Sequence, residues 1–109
     1  MRVLISGLAL VLCSCATSSA GLQRMGLEMT ISSSKSAQDF ATCSAEVMQG
    51  SPTLRGSGDH WWVLRDNGYG IPIVRWDFIG KPGGGSVAEL RATAIAGAAK
   101  DKVRACSSS

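Results

Sequence analysis

The stretch that decides the fold is His60-Trp61-Trp62-Val63-Leu64-Arg65-Asp66, then Asn67-Gly68, then Tyr69-Gly70-Ile71-Pro72-Ile73-Val74-Arg75-Trp76-Asp77-Phe78-Ile79. Two runs rich in β-branched and aromatic residues flank an Asn-Gly pair. That pair is the preferred centre of a two-residue type I′ turn, because both central residues take positive φ. The spacing predicts a hairpin in which Asp66 faces Tyr69, Leu64 faces Ile71, Trp62 faces Ile73 and Trp61 faces Val74. Pro72 then falls opposite Val63 at a non-hydrogen-bonded pair, and the second strand should be an edge there, since proline donates nothing to a ladder. Alternation sorts the side chains onto two faces. Trp61, Val63, Val74, Trp76 and Phe78 form one wall, the platform for helices. Trp62, Leu64, Ile71, Ile73 and Ile79 lie on the other, beside His60, Arg75 and Asp77. That outer face is more apolar than a solvated face should be, so a cover is expected: residues 27–31, a second copy of the chain, or a partner.

Upstream, Gly26-Leu27-Glu28-Met29-Thr30-Ile31-Ser32 alternates apolar and polar residues and reads as a strand. Ser36-Ala37-Gln38-Asp39 reads as an N-cap with an acid three residues on. The helix that follows places Ala37, Phe40, Cys43 and Val47 on one stripe, with Gly50 as its stop and Pro52 preventing continuation. Residues 51–59, with Pro52, Gly56 and Gly58, read as a loop. Downstream, Lys81-Pro82-Gly83-Gly84-Gly85 ends the hairpin, and Ser86-Val87-Ala88-Glu89 matches a capping box. It predicts a last helix running to about Cys106, with Ala88, Ala92, Ile95, Ala99 and Cys106 on one stripe. The expected fold is therefore α+β: a hairpin with one further strand, packed by two helices on one face, in the order β-α-β-β-α.

At the N-terminus, Leu12-Cys13-Ser14-Cys15 closes an apolar run, Val3 to Leu12, that follows Arg2. A positive start, a short apolar middle and small residues before a cysteine make a secretory signal, and the run is roughly half the ~20 residues that span a bilayer. The four residues ending at Cys15 resemble a lipobox, the signature of the bacterial lipoprotein class, although Cys13 is an uncommon occupant of its position. The resemblance implies cleavage before Cys15, lipidation of that thiol and stable anchoring by two or more acyl chains. It divides the chain into a signal (1–14), a lipidated tether (15–24), one small domain (25–106) and a flexible tail (107–109). Ala16, where an Asp would signal inner-membrane retention, points to the outer membrane, facing the periplasm. Ordinary cleavage after Ala20, giving a soluble periplasmic or secreted protein, is the alternative.

Cysteine arithmetic follows from the signal. Of four cysteines, either cleavage leaves Cys43 and Cys106 as the pair within the domain. In an oxidising compartment that pair forms a disulfide. The net charge of +3 loses one unit with Arg2, and the cations form no dense run. Nucleic-acid binding has little support.

Catalytic and metal chemistry is thinly supplied. His60 is the only histidine, with Asp59 beside it as a conceivable triad partner, but no nucleophile elbow is present. One histidine and a disulfide-bonded cysteine pair do not make a zinc site. Gly83-Gly84-Gly85-Ser86 could receive an anion at a helix start, yet it lacks the P-loop lysine, and a tight turn explains it. Adjacent strand residues point to opposite faces, so Trp61 is the better core candidate and Trp62 lies either under the N-terminal segment or exposed as an interface anchor. These features together suggest a non-enzymatic envelope lipoprotein with no cofactor. It would bind an envelope protein or its own copy through Trp62, Leu64, Ile71 and Ile73. Size, anchor and single disulfide are similar to those of phage- or plasmid-encoded lipoproteins that exclude superinfection, and an inhibitor of a periplasmic enzyme fits as well. A small periplasmic hydrolase using His60 is the competing expectation.

Overall fold

A computed structural model describes residues 21, 22, 25–93 and 97–108 of the chain. The elements follow in the order β1 (Met29–Ser33), α1 (Ala37–Val47), β2 (Thr53–Ser57), β3 (His60–Asp66), β4 (Pro72–Gly80), β5 (Ser86–Ala92) and α2 (Lys100–Ser108). The five strands form one antiparallel sheet in the order β1-β5-β4-β3-β2. Both helices contribute to a single core, with Phe40 and Ala41 from α1 and Val103 and Cys106 from α2 packing with Val63, Trp76 and Leu90. The α+β class holds, with five strands in place of three.

The hairpin forms with a different turn and a displaced register. Asn67 donates its amide to the Ile71 carbonyl at 3.0 Å, closing a loop over residues 67–71 rather than a two-residue turn. Leu64 now faces Arg75, Trp62 faces Asp77 and Trp61 faces Phe78, four positions along from the expected partners. An even displacement keeps the side chains from Val74 onward on their expected faces. Val63, Val74, Trp76 and Phe78 are consequently buried, as alternation requires, and Trp61 packs against them. A bulge at Arg65/Asp66, where Val74 and Pro72 are successive partners, absorbs the mismatch. Pro72 does not mark an edge strand: β4 is the centre of the sheet. Pro72 is its first residue, beyond the first β5 pair at Val74 and Ala92, so its missing donor costs no ladder bond.

Two further expectations are corrected. Within residues 51–59, taken as a loop, Thr53–Ser57 is a strand paired with β3. Gly56 lies opposite Trp61 there with φ +142°, and a Cβ on it would sit 2.5 Å from the His60 carbonyl oxygen. A Gly56→Ala protein is expected to lose about 1–3 kcal/mol of stability through backbone strain, read as a lowered urea midpoint with unchanged slope. The second correction is larger. Residues 86–92 form β5, and the last helix begins only at Lys100. Ser86, Ala88, Leu90 and Ala92 are buried while Val87, Glu89 and Arg91 are half-buried on the other face. Alanine is apolar on either period, so this segment satisfies a helix stripe and a strand face alike. The unpaired edge of β4 decides between them, because its backbone groups need partners. Ser86 caps nothing; its hydroxyl donates to the Lys35 carbonyl at 2.8 Å. The Gly83–Gly85 turn joins two strands, which removes the helix-start anion site.

The two helices are tied where cysteine spacing placed the tie: Cys43 on α1 and Cys106 on α2 form a disulfide with Cα atoms 5.8 Å apart. Ser36 caps α1, accepting the Asp39 amide at 3.1 Å. Helix α2 runs through Ser108, so the tail expected at 107 is helical there, and its Ser107 carbonyl accepts the Ser33 hydroxyl at 2.7 Å. The signal, Cys15, Ala20 and most of the tether lie outside the described residues.

Candidate functional site on the outer face of the sheet

The sheet's outer face carries two cross-strand rows with charged residues, set by register. Trp62, Asp77 and Glu89 form one cross-strand row, and Leu64, Arg75 and Arg91 form the next. Asp77 stands at the centre of the central strand and is 2% exposed, although it points away from the helices. Arg75 grips it through two hydrogen bonds, Nε to Oδ2 at 2.9 Å and Nη2 to Oδ1 at 2.8 Å. His60 Nε2 lies 2.8 Å from Oδ1. Arg91 approaches Oδ2 at 3.7 Å and Glu89 at 3.4 Å, linking the second acid to the first.

Trp62 completes the arrangement. Its ring lies 5.1 Å from the Arg75 guanidinium carbon and 5.3 Å from the His60 ring. The contact is a cation–π interaction over a buried ion pair. Burial pushes the Asp77 pKa upward, but the hydrogen bonds and charges of Arg75 and His60 outweigh it and hold the carboxyl below its ordinary value. Among the described residues no buried side-chain nitrogen or oxygen lacks a hydrogen-bond partner.

No protein-family model, curated protein or solved structure matches the chain. The role of the cluster rests on its own geometry. His60 has a carboxylate partner, but it is Asp77 across the ladder and not the sequence neighbour Asp59. The residues expected to form one partner-binding patch are split. Trp62 and Leu64 stay on the outer face. Ile73 is the bulge residue with no partner on β3, and it packs against the core. Ile71 is 45% exposed in the 67–71 loop. Glu89 and Arg91 were missed because their segment reads as a helix; the alternation Val87, Glu89, Arg91 was the signal that could have found them.

Proposed function

We propose that the chain is an exported lipoprotein, anchored through Cys15, whose domain is a non-enzymatic protein-binding module. The observation that carries the compartment is the Cys43–Cys106 disulfide, a bond that persists in oxidising surroundings and is rare in the cytoplasm. What supports binding over catalysis is the company His60 keeps. Its Nε2 is taken by a carboxylate that two guanidiniums also hold, an arrangement that fixes Trp62 in place as a rigid aromatic surface. The hydrolase reading draws on the same pair, since Asp77 could orient His60 with the other ring nitrogen, Nδ1, left as a base.

Two measurements test the reading. Metabolic labelling with palmitate should mark the intact chain and not a Cys15→Ser protein; equal labelling of both would end the lipoprotein assignment. Crosslinked envelopes should yield one envelope protein with the intact chain and lose it with Trp62→Ala of verified fold. Retention of every partner by that variant would leave Trp62 as internal packing and bring the hydrolase forward.

A further inference from the structure

Tyr69 is 90% exposed and Ile71 45%, two large side chains presented by one five-residue loop. Neither holds that loop together. Asn67 closes it with its own amide, its side-chain oxygen accepts the Tyr69 amide at 2.8 Å, and Asp66 Oδ1 accepts the Gly68 amide at 2.9 Å. Gly68 and Gly70 supply the positive φ values, +93° and +86°. The turn is thus ordered by backbone groups, polar residues and glycines, while the Tyr69 side chain stands out from it. A rigid loop offering an aromatic side chain loses little conformational entropy on binding.

The ground around this knob is cationic. Arg65 lines a depression of about 330 Å³ with Asn67, Gly68 and Gly97. It also lines the neighbouring cavity of about 470 Å³ with Lys100 and Lys102. Two acids line the same cavities, Asp66 the first and Asp101 the second, and leave Arg65, Lys100 and Lys102 in excess by one positive charge. Asp66 is engaged by the Gly68 amide, and the Asp101 carboxylate lies 3.9 Å from Arg104. Among the described residues no carboxylate pairs with Arg65, Lys100 or Lys102.

We infer that this end of the molecule docks into a concave cleft of another envelope protein, one rimmed by carboxylates, with Tyr69 inserted and Arg65, Lys100 and Lys102 facing the rim. The inference rests on the binding-module reading and moves the anchor from Trp62 to Tyr69. An exposed aromatic knob fits a concave partner, and the positive excess beside it, with Arg65 held at the Gly97 carbonyl and no carboxylate ion-paired to Lys100 or Lys102 among the described residues, favours an acidic one.

The test places a benzophenone amino acid at position 69, at 62, or at the remote exposed Lys81, in the full chain exported by intact cells. One protein adduct from position 69 and none from 81 is expected. Its yield should fall about tenfold in a Lys100→Glu/Lys102→Glu protein; acids in the first turn of α2 suit its dipole, so that variant keeps its fold. An adduct from 62 but not 69 overturns the inference and leaves the binding module standing. No adduct from any position overturns both. Equal adducts from 69 and 81, or a yield indifferent to the charge reversal, overturns the acidic cleft.

Discussion

Asp77→Ala is expected to destabilise the domain by about 3–5 kcal/mol, a large share of the total for a chain of this size. The side chain removed is small, but what it leaves behind is not. Arg75, 5% exposed, would keep its charge with neither of its two carboxylate bonds, and Arg91 would lose one of two acidic neighbours. An uncompensated buried charge costs more than the pair ever contributed, because its partner had offset the desolvation. The same argument predicts that Arg75→Met/Asp77→Leu, which removes both charges and keeps the volume, costs far less than Asp77→Ala alone. Urea midpoints of the two proteins at pH 7 decide it. If the double variant is the less stable, the cluster contributes net stability as an ion pair.

The pH dependence has a defined direction. The folded Asp77 carboxyl titrates below its ordinary value of 3.8, so the unfolded chain takes up the proton first as pH falls. The contribution of Asp77 is therefore fully present above about pH 5 and is lost as the pH drops through 3.8 toward the folded value. An Asp77→Asn protein should lack this part of the acid transition. A melting temperature equally acid-sensitive in both proteins would assign the transition to other carboxylates.

What the sequence conveyed and what it withheld divide along a physical line. Features fixed by neighbours in the chain were legible: the Ser36 cap, the buried Ala37 and Phe40 of α1, the alternation of the hairpin strands and the cysteine pair, although Val47, expected on the α1 stripe, is exposed while Ala41 and Ser44 are buried. The displaced hairpin register left the faces intact from Val74 onward, because alternation depends on parity and not on which residues meet, but the bulge turned Ile73 toward the core. Features fixed by distant neighbours were hidden. Residues 86–92 carry both a helix stripe and a strand face, and only the open edge of β4 selects the strand. That one choice concealed Glu89 and Arg91, which meet Asp77 only once β5 lies beside β4. The real partner of His60 was concealed separately, by the hairpin register. Asp77 is seventeen residues away in sequence, on the far side of a turn whose length the Asn-Gly pair misstated. The exposed Tyr69 and Ile71 follow from the same misreading. A two-residue turn would have placed both in a strand, whereas the five-residue loop carries them out of it.

Removing the disulfide, as Cys43→Ala/Cys106→Ala, is expected to cost about 4 kcal/mol, the chain-entropy value for closing a loop between residues 63 apart. The packing of α2 shows why so short a helix depends on it. Nine residues cannot sustain a helix alone in water, and only Val103 and Cys106 of α2 are buried. One of those two is the crosslink itself. Beyond it, the described attachments of α2 are the Ser33–Ser107 hydrogen bond and the long Arg104–Met29 contact. Opening the bond should therefore release α2 before the sheet melts. Amide exchange of residues 103–108 should speed up on reduction while Val63 and Trp76 in the sheet stay protected. Full cooperative loss of both sets would mean that α2 is integral to the core, and a cost under about 1 kcal/mol would mean that its apolar contacts suffice. The first result would also tie the integrity of the domain to oxidising surroundings. Without the bond, the C-terminal helix no longer covers the end of the core that Val103 fills, and apolar surface built to be buried meets water.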